Sequence, residues 1–375
     1  MKFSIYTKDL LDGLKVVAKC ADPKPMTPIL SAVKISADGG IVTLEATNLK
    51  LAAKTVLPAH IEDGGTVCVN ARYLLEVVNK LPEDTATFTL EGNSLHVNSG
   101  GQHFNLLTFD AEDFPSTTFN TEPKLEIRIP VFKDILRKTI FAVSTEDDRP
   151  IFKGVNFNLK TLGEVGYRLQ AFSTNTHRIA CYLGGTLPKR DSDIGEFNII
   201  IPPDALRMVN AAISNDPDDF LRLVLNEQTL TFKFDNVWIK TRLIEGEFPP
   251  VDKLLDDTNR TATATFNTLE LKAALDAAKL VAKANEYNMA RLRFSENQIE
   301  VSATSHDRGD FATTIEAHCD RDIEIGFNTD YLLDYLGAAD CSKVCMKYGD
   351  NVTSIKMSDP DVPDEFVYIV TPVRI

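Results

Sequence analysis

Side chains that could perform acid–base or metal chemistry are few in this sequence and lie far apart. His177 and Arg178 follow Thr174 at the end of an apolar run, a position from which a histidine could act as a general base. The acidic run 146–148 offers the oxygen ligands that Mg²⁺ prefers. A histidine at a hairpin end and an acidic surface loop are the more common roles of such residues. No Gly-rich phosphate loop, G-x-S-x-G or H-E-x-x-H motif occurs, so a hydrolase that uses His177 is the less favoured interpretation.

The six cysteines do not form a metal-binding pattern. None belongs to a C-x-x-C pair, and the histidines do not complete a zinc motif. Cys341 and Cys345 are four residues apart, but the segment around Cys345 reads as a strand. We therefore expect buried or half-buried thiols, and neither a metal nor another cofactor.

Basic residues recur behind the apolar face of three predicted helices. In the first, Leu10, Leu14 and Val17 follow a helical period and form one face. The basic residues of the three helices are Lys8, Lys15 and Lys19, then Lys133, Arg137 and Lys138, and finally Lys272, Lys279 and Lys283. We interpret them as outer stripes that face a nucleic-acid backbone, and the alternative for any single helix is a solvated surface.

The distribution of charge supports this interpretation although the chain is acidic, with a net charge of −14. Affinity for nucleic acid comes mostly from neutralising phosphates, so an acidic protein does not normally suggest it. The six predicted helices together carry 12 basic and 9 acidic residues, which gives +3 and leaves −17 on the rest of the chain. These helices span residues 8–19, 71–80, 130–142, 203–213, 268–283 and 329–337.

An internal repeat of about 125 residues divides the chain. Segments 69–80, 201–212 and 327–338 resemble one another, and the marker at 110–115 recurs at 244–249. Each repeat contains two helices and about eight alternating strands, which predicts an α+β fold with helices packed on antiparallel sheets. The predicted domains are 1–121, 122–253 and 254–375. No run of eighteen apolar residues and no signal-peptide pattern occurs, so we expect a cytoplasmic protein without a membrane partner.

Several motifs resemble those of the bacterial DNA polymerase III beta subunits, the DNA sliding clamps. The resemblance extends over essentially all 375 residues. It is carried by segments 24–30, 174–179, 243–249, 325–334 and 368–375. It implies the DNA clamp fold: three repeated domains per chain and a head-to-tail homodimer that closes a ring of six domains.

The resemblance also implies a function and partners. The ring would encircle double-stranded DNA without reading its sequence and would tether the replicative DNA polymerase, as a processivity factor and not an enzyme. A clamp loader and other repair and replication proteins would bind through a short peptide. A protein-interaction scaffold without DNA is the alternative.

Three sets of residues are implied by the resemblance together with the basic stripes. The DNA-facing set is Lys8, Lys15, Lys19, Lys24, Arg72, Lys80, Lys133, Arg137, Arg207, Lys272, Lys279 and Lys283. The partner-peptide pocket is Thr174, Thr176, His177, Arg178, Ile179, Pro249, Leu254, Tyr331, Ser354, Val370, Pro372, Val373 and Arg374. At the dimer interface, strand residues Phe104 and Leu106 would meet Leu280 and Val281 of the other chain.

Overall fold

The computed structural model describes residues 1–119, 125–146, 149–187, 195–216 and 218–375. These residues form seven α-helices: α1 (Thr7–Val17), α2 (Ala71–Val78), α3 (Ile129–Thr139), α4 (Pro203–Ala212), α5 (Asp252–Leu255), α6 (Thr268–Ala282) and α7 (Thr329–Ala338). No helix in the described ranges combines the length and the apolar character needed to cross a lipid bilayer.

The same ranges contain 26 strands. The first thirteen are β1 (Lys2–Tyr6), β2 (Ala32–Asp38), β3 (Ile41–Thr47), β4 (Leu51–Pro58), β5 (His60–Asp63), β6 (Gly65–Asn70), β7 (Thr85–Glu91), β8 (Ser94–Ser99), β9 (Gln102–Phe109), β10 (Leu125–Arg128), β11 (Val155–Thr161), β12 (Tyr167–Thr174) and β13 (Arg178–Tyr182). The others are β14 (Thr186–Leu187), β15 (Phe197–Ile201), β16 (Phe220–Leu225), β17 (Thr229–Phe234), β18 (Val237–Arg242), β19 (Ala262–Asn267), β20 (Met289–Ser295), β21 (Gln298–Ser305), β22 (Gly309–Cys319), β23 (Ile323–Asn328), β24 (Lys343–Tyr348), β25 (Ile355–Ser358) and β26 (Phe366–Val370).

The chain forms two compact units. The first contains Met1–Phe132 and Asp204–Leu243, and the second contains Lys133–Pro203 and Ile244–Ile375. Each unit is built on one antiparallel sheet, so the central repeat contributes strands to both. The first sheet has the order β10-β16-β17-β18-β4-β3-β2-β6-β9-β8-β7-β1-β5. The second has the order β15-β11-β12-β13-β26-β25-β24-β19-β22-β21-β20-β23, with β14 beside β12.

The same strand-to-helix step occurs six times. Strands β1, β6, β10, β15, β19 and β23 each lead into a long helix within one or two residues. Asn70, Asn267 and Asn328 end three of these strands, and their side-chain oxygens accept hydrogen bonds from the first free N–H groups of α2, α6 and α7. An asparagine at this position satisfies donors that have no partner inside the helix. The predicted repeat within each repeat is therefore present.

Each helix buries one stripe against its sheet. Leu10, Leu14 and Val17 of α1 are at most 1% exposed. A Cβ atom on Gly13 would lie 3.0 Å from Thr55 Cγ2 of β4, so the missing side chain lets α1 approach the sheet closely. In the second unit, Leu271, Leu275 and Ala278 of α6 belong to a continuous core. Burial of these apolar faces is the main force that holds the helices on the sheets.

The six predicted helices are all present, and each boundary lies within a few residues of the prediction. The structure adds α5, a single turn of helix whose four residues are too few to give a periodic signal. The predicted domain boundaries stay a prediction, and the first of them, at 121/122, lies outside the described residues.

Candidate functional site

A tight turn between β12 and β13 forms the centre of the predicted peptide pocket. The Thr174 hydroxyl donates to the carbonyl of Arg178 at 2.7 Å and accepts from the Thr176 N–H at 3.0 Å. The side-chain oxygen of Asn175 accepts from the N–H groups of His177 and Arg178. Thr176 has a φ of 76°, a left-handed conformation that β-branched residues rarely adopt. These bonds hold the strained residue in place, as is common at binding sites.

Arg178 anchors this turn from inside. Its guanidinium donates to Asp334 at 2.5 Å and to the carbonyl of Phe141 at 2.6 Å. It also lies 4.4 Å from the centre of the Tyr331 ring, a cation–π distance. Burial alone would lower the pKa of Arg178, but Tyr368 and Asp334 outweigh burial, and the pKa is raised. Arg178 therefore stays charged and positions the turn against Tyr331.

The C-terminal tail closes one side of the turn. Strand β13 pairs with β26, with Arg178 opposite Val370. The N–H and hydroxyl of Thr371 both donate to the carbonyl of His177 at 2.9 Å. Further on, the Val373 N–H donates to the carbonyl of Gly326 at 2.8 Å. The tail is thus fixed by backbone bonds up to Val373.

A buried arginine that the sequence did not point to joins two other predicted pocket residues. Arg260 is 9% exposed, and its guanidinium donates to the carbonyls of Leu254 and Ser354 at 3.2 and 2.8 Å. It also donates to the Ser354 hydroxyl at 3.1 Å. Arg260 directly follows the polar stretch 253–259, which reads as a linker, and no motif or periodicity pointed to it. Leu255, next to Leu254, packs on the same small core as Ile179.

Three predicted pocket residues prove to be structural. Thr174, Arg178 and Val370 are 5%, 8% and 0% exposed, so their side chains support the pocket and do not line it. The prediction that Val370 offers apolar surface was wrong, because Val370 ends β26 with its side chain in the hydrophobic core. The exposed or half-buried pocket residues are Thr176, His177, Ile179, Pro249, Leu254, Tyr331, Ser354, Pro372, Val373 and Arg374.

The predicted DNA-facing cations differ in their surroundings. The exposed ones are Lys8, Lys15, Lys19, Lys24, Arg72, Lys80, Arg207 and Lys283, and the half-buried ones are Lys133, Arg137, Lys272 and Lys279. Several form ion pairs with carboxylates of their own helix, such as Lys15 with Asp12 at 3.1 Å and Arg72 with Glu76 at 3.1 Å. Such exposed pairs contribute about 0.2–1 kcal/mol, so a phosphate can replace the carboxylate.

The stripe on α3 is not a solvated outer face. Lys138 is 6% exposed and pairs with Asp134 and Glu365, both at 2.8 Å. Arg137 pairs with Asp134 and Asp340 and donates to the carbonyl of Ala338. Burial would lower the pKa of both cations, but their acidic partners raise it. The prediction of an outer stripe was therefore wrong for Lys138, and Arg137 is held by partners within the second unit.

Three of the predicted cations do converge. Lys15, Lys19 and Arg72 line one cavity of about 520 Å³ in the first unit, together with Asp22 and Asn70. The cavity lies between the C-terminal end of α1 and the start of α2. Asp22 lines the same cavity, and Lys15 and Arg72 are paired with Asp12 and Glu76, so the cavity brings three cations together without a large local excess of positive charge.

The predicted interface strand β9 has one residue on the wrong face. Leu106 is 1% exposed and belongs to the core, whereas Leu107 is 82% exposed. Phe104 is half-buried on the side of Leu106, because successive side chains of a strand point to opposite faces. The prediction that Leu106 meets another chain was therefore wrong. Leu280 of α6 is 69% exposed, as a residue that meets another chain should be. Val281 packs partly on the core.

Among the described residues, the candidate chemical groups are not brought together. In the described part of the chain, the His177 imidazole has no carboxylate or hydroxyl within hydrogen-bond distance. Two of the three acidic residues in the run 146–148 lie outside the described residues. The thiols are buried or half-buried as predicted. Burial raises the pKa of Cys68 and of Cys181 to about 12, which keeps both protonated at neutral pH.

Comparisons with known proteins agree with this architecture. The family models of the DNA polymerase III beta subunit match residues 1–118 (N-terminal domain), 126–250 (central domain) and 257–374 (C-terminal domain). The beta sliding clamp of Lactococcus lactis is 28% identical over 386 residues, which covers 100% of this chain and 99% of that protein. The beta sliding clamp of Streptococcus pneumoniae is 29% identical over 383 residues, with 99% of each chain covered.

A solved structure gives the same result at the level of the fold. The crystal structure of the DNA polymerase sliding clamp from Bacillus subtilis matches with a TM-score of 0.93 and 26% identity, covering 100% of this chain and 99% of that one. This confirms the predicted α+β fold of three repeated domains. The three family matches span nearly the whole sequence, and the chain therefore belongs to the DNA polymerase III beta subunit family.

Proposed function

We propose that this DNA sliding clamp acts as a head-to-tail homodimer, a closed ring that encircles duplex DNA and tethers the replicative polymerase for processive synthesis. As a beta subunit it is a processivity factor and not the catalytic part of the polymerase. The proposal places it in the cytoplasm, where chromosome replication of a bacterial cell takes place. The observation that carries the ring is a strand pairing that occurs twice within the chain.

Both pairings join equivalent strands of successive repeats. Strands β4 and β13 each follow a Thr-Asn turn, and β18 precedes the 244–249 marker while β26 precedes the tail. Strand β4 of the first repeat pairs with β18 of the second, and β13 of the second pairs with β26 of the third. By this rule, β22 of the third repeat needs a partner equivalent to β9 of the first repeat.

Both of these remaining strands have a free edge. Among the described residues, β9 pairs with β6 only at Thr108 and Phe109, so residues 102–107 have a strand partner on one side alone. Strand β22 pairs with β19 only over 317–319, so residues 309–316 are free on the same side. Unpaired edges of this length are templates for pairing with another chain. Antiparallel addition of β9 of one protomer to β22 of its partner, formed twice, closes a ring of two chains.

The side chains at these edges fit such a pairing. Phe104 faces inward on β9, and Phe311 and Thr313 face inward on β22. Directly opposite residues of an antiparallel pair lie on the same face, so these inward residues extend the core across the seam. Exposed Leu280, at the end of the helix that packs on β22, adds apolar surface beside it.

Solution mass and cross-linking test the ring. Light scattering on the wild-type chain is expected to give the mass of two chains. Asn105→Cys combined with Ala312→Cys or with Thr314→Cys is expected to form an interchain disulfide under mild oxidation, because all three residues lie on the outer face of the two edges. The control pair Asn105→Cys with Val352→Cys, which leaves the β22 edge unchanged, is expected to form none. A monomeric mass with no cross-link would falsify the proposed closure.

The function itself is tested on DNA. After loading by a clamp loader, the protein is expected to remain on nicked circular DNA and to leave once the circle is cut. Sequence-independent phosphate contact alone would hold circular and linear DNA equally well, whereas a ring can slide off the ends of linear DNA only. Equal retention on linear and circular DNA would reject the topological mechanism.

We further propose that partner proteins bind in the pocket around Thr176, His177, Tyr331 and the tail. A groove with apolar walls and a few fixed polar groups suits a short hydrophobic peptide. The polymerase, the clamp loader and repair proteins would then share one site. The hydrogen bonds of the turn, the tail and Arg260 support this assignment, since they hold the pocket residues in place and leave their exposed sides open to a peptide.

A further inference from the structure

A groove of about 300 Å³ lies in the first unit beside the turn between β3 and β4. Its walls come from the turn at 47–52, the segment 115–118 that follows β9, and the ends of β17 and β18. We name it the Leu49 groove, after the residue at the tip of the turn. None of its lining residues belongs to the sets predicted to contact DNA, partner peptides or a second chain.

The turn of the Leu49 groove repeats the turn of the peptide pocket bond for bond. The Thr47 hydroxyl donates to the carbonyl of Leu51 at 3.1 Å and accepts from the Leu49 N–H at 3.0 Å. The Asn48 side chain accepts from the N–H groups of Lys50 and Leu51. Leu49 has a φ of 72°, close to the value of its counterpart Thr176. Two turns of one design thus present the residue after the asparagine to solvent.

The other walls are also counterparts. Pro115 and Pro249 each end the Phe-Pro marker of their repeat. Thr229 and Ser354 occupy the same place in the sheet. Thr229 precedes Leu230, which pairs with Thr241 of β18, and Ser354 precedes Ile355, which pairs with Val370 of β26. The Leu49 groove is therefore the structural repeat of the proposed peptide pocket, at the preceding junction of repeats within the first unit.

Charge distinguishes the two grooves. Lys50, Lys240 and Arg242 line the Leu49 groove, and none of the described residues that line it is acidic, although the chain as a whole carries −14. Lys240 donates to the carbonyl of Thr118 at 2.9 Å, which holds the 115–118 wall in place. Leu49 itself is 66% exposed and offers an apolar contact at the tip of the turn.

We propose that the Leu49 groove is a second docking site, which takes an acidic linear peptide with an apolar residue. The three cations attract the carboxylates, and Leu49 packs against the apolar side chain. A peptide fits better than a nucleic acid, because the walls are those of a peptide pocket and an exposed leucine gains nothing from a phosphate. The proposal rests on the proposed peptide pocket, whose design it shares.

Binding of a defined probe to the full chain tests the proposal. The probe is a fluorescein-labelled ten-residue peptide of alternating acidic residues and leucine, measured by anisotropy at fixed salt. Lys50→Glu with Arg242→Glu is expected to weaken binding at least tenfold. The matched control Lys160→Glu with Arg168→Glu makes the same change of charge on two exposed residues of β11 and β12 and is expected to change binding less than twofold.

A third variant excludes misfolding as the cause. Leu49→Gly keeps a turn with positive φ, because glycine adopts that conformation without strain, and it removes the apolar contact. It is expected to weaken binding of the peptide probe about threefold or more, while the melting temperature of the protein is unchanged or higher.

The remaining arms separate this site from the others. Deletion of 373–375, which disables the proposed peptide pocket, is expected to leave the acidic probe bound as in wild type. Loss of the probe in that deletion alone would place it in the pocket and overturn the Leu49 groove without affecting the proposed function. Equal losses in both charge-reversed variants would show attraction to net charge only. If Lys50→Glu with Arg242→Glu released a labelled DNA duplex and not the peptide, the groove would be a nucleic-acid contact, and the proposal would be wrong.

Discussion

Arg178 of β13 and Asp334 of α7 form an ion pair with a donor–acceptor distance of 2.5 Å. The pair is asymmetric, since the arginine side chain is 9% exposed and the aspartate 41%. It joins a strand of the second repeat to a helix of the third, within one unit. The turn that carries Thr176 and His177 starts from this anchor, so the shape of the proposed pocket depends on a contact beneath it.

Removing this anchor is expected to cost both stability and peptide binding. Arg178→Ala loses the bond to Asp334, the bond to the Phe141 carbonyl and the stacking on Tyr331, and we expect a loss of about 3 kcal/mol in the free energy of unfolding. Partner-peptide affinity should fall at least tenfold because the turn loses its support. Chemical denaturation and peptide calorimetry measure the two effects.

The exposed pair Arg291–Glu324 in the same unit serves as the control. Its atoms are 3.6 Å apart and both side chains are more than 40% exposed, so Arg291→Ala should cost less than about 1 kcal/mol and leave the peptide bound. Similar losses for the two substitutions would contradict the role given to Arg178.

The tail can be displaced without changing its own sequence. A Cβ atom at residue 326 would lie 2.9 Å from the carbonyl oxygen of Val373 and 2.9 Å from Met289 Sδ, so Gly326→Ala must push the tail away. Peptide affinity is expected to fall about tenfold, as it should after deletion of 373–375, while the solution mass stays that of a dimer. Unchanged affinity in a calorimetric titration of both variants would count against the pocket. Gly185→Ala is the control, because this glycine of the same unit has no atom of the described residues within 4 Å of an added Cβ and no left-handed backbone.

Charge reversal should separate cations that contact DNA from cations that hold the fold. Lys8→Glu and Lys19→Glu change exposed residues of the α1 region and are expected to lower the slope of log affinity against log salt by about one for each residue. Arg137→Gln should leave that slope unchanged and lower the melting temperature, because Asp134 and Asp340 lose their partner. A reduced slope with Arg137→Gln and none with the lysines would reverse our assignment.

Asp257 is expected to make the second unit sensitive to acid. Burial acts to raise the pKa of its carboxyl, but Lys347 and Lys356 outweigh burial and hold the pKa below the ordinary 3.8. A carboxyl with a lowered pKa stabilises the fold fully above its ordinary pKa, and this contribution is lost as pH falls through the folded value. Wild type should therefore lose stability below about pH 4.

Asp257→Asn should lower the melting temperature at pH 7 and flatten its decline between pH 5 and 3. Asp361→Asn, an exposed residue of the same unit, should leave the pH profile of wild type unchanged. Identical pH profiles for wild type and Asp257→Asn would show that the lysine contacts contribute nothing.

Much of the organisation follows from local sequence. The period of 3.6 residues in runs such as 8–19 and 268–283 placed all six long helices, since an apolar stripe must be buried whatever covers it. The recurrence of the 69–80 pattern and of the Phe-Pro marker gave three repeats, and the motifs that resemble the family gave the clamp fold. These features need only the order of residues along the chain.

Tertiary structure alone decided which face of each element is buried by a distant segment. Leu106 and Leu107 are adjacent and chemically identical, and only the pairing of β9 turns the first into the core and leaves the second 82% exposed. The sequence pattern predicts Lys138 as a surface cation, but in the fold its Nζ lies 2.8 Å from a carboxylate oxygen of Glu365, 227 residues away in the chain. Arg260 likewise gains its role from Ser354 across the fold. The physical reason is that burial and ion pairing depend on partners remote in sequence, whereas periodicity records only the residues of one element.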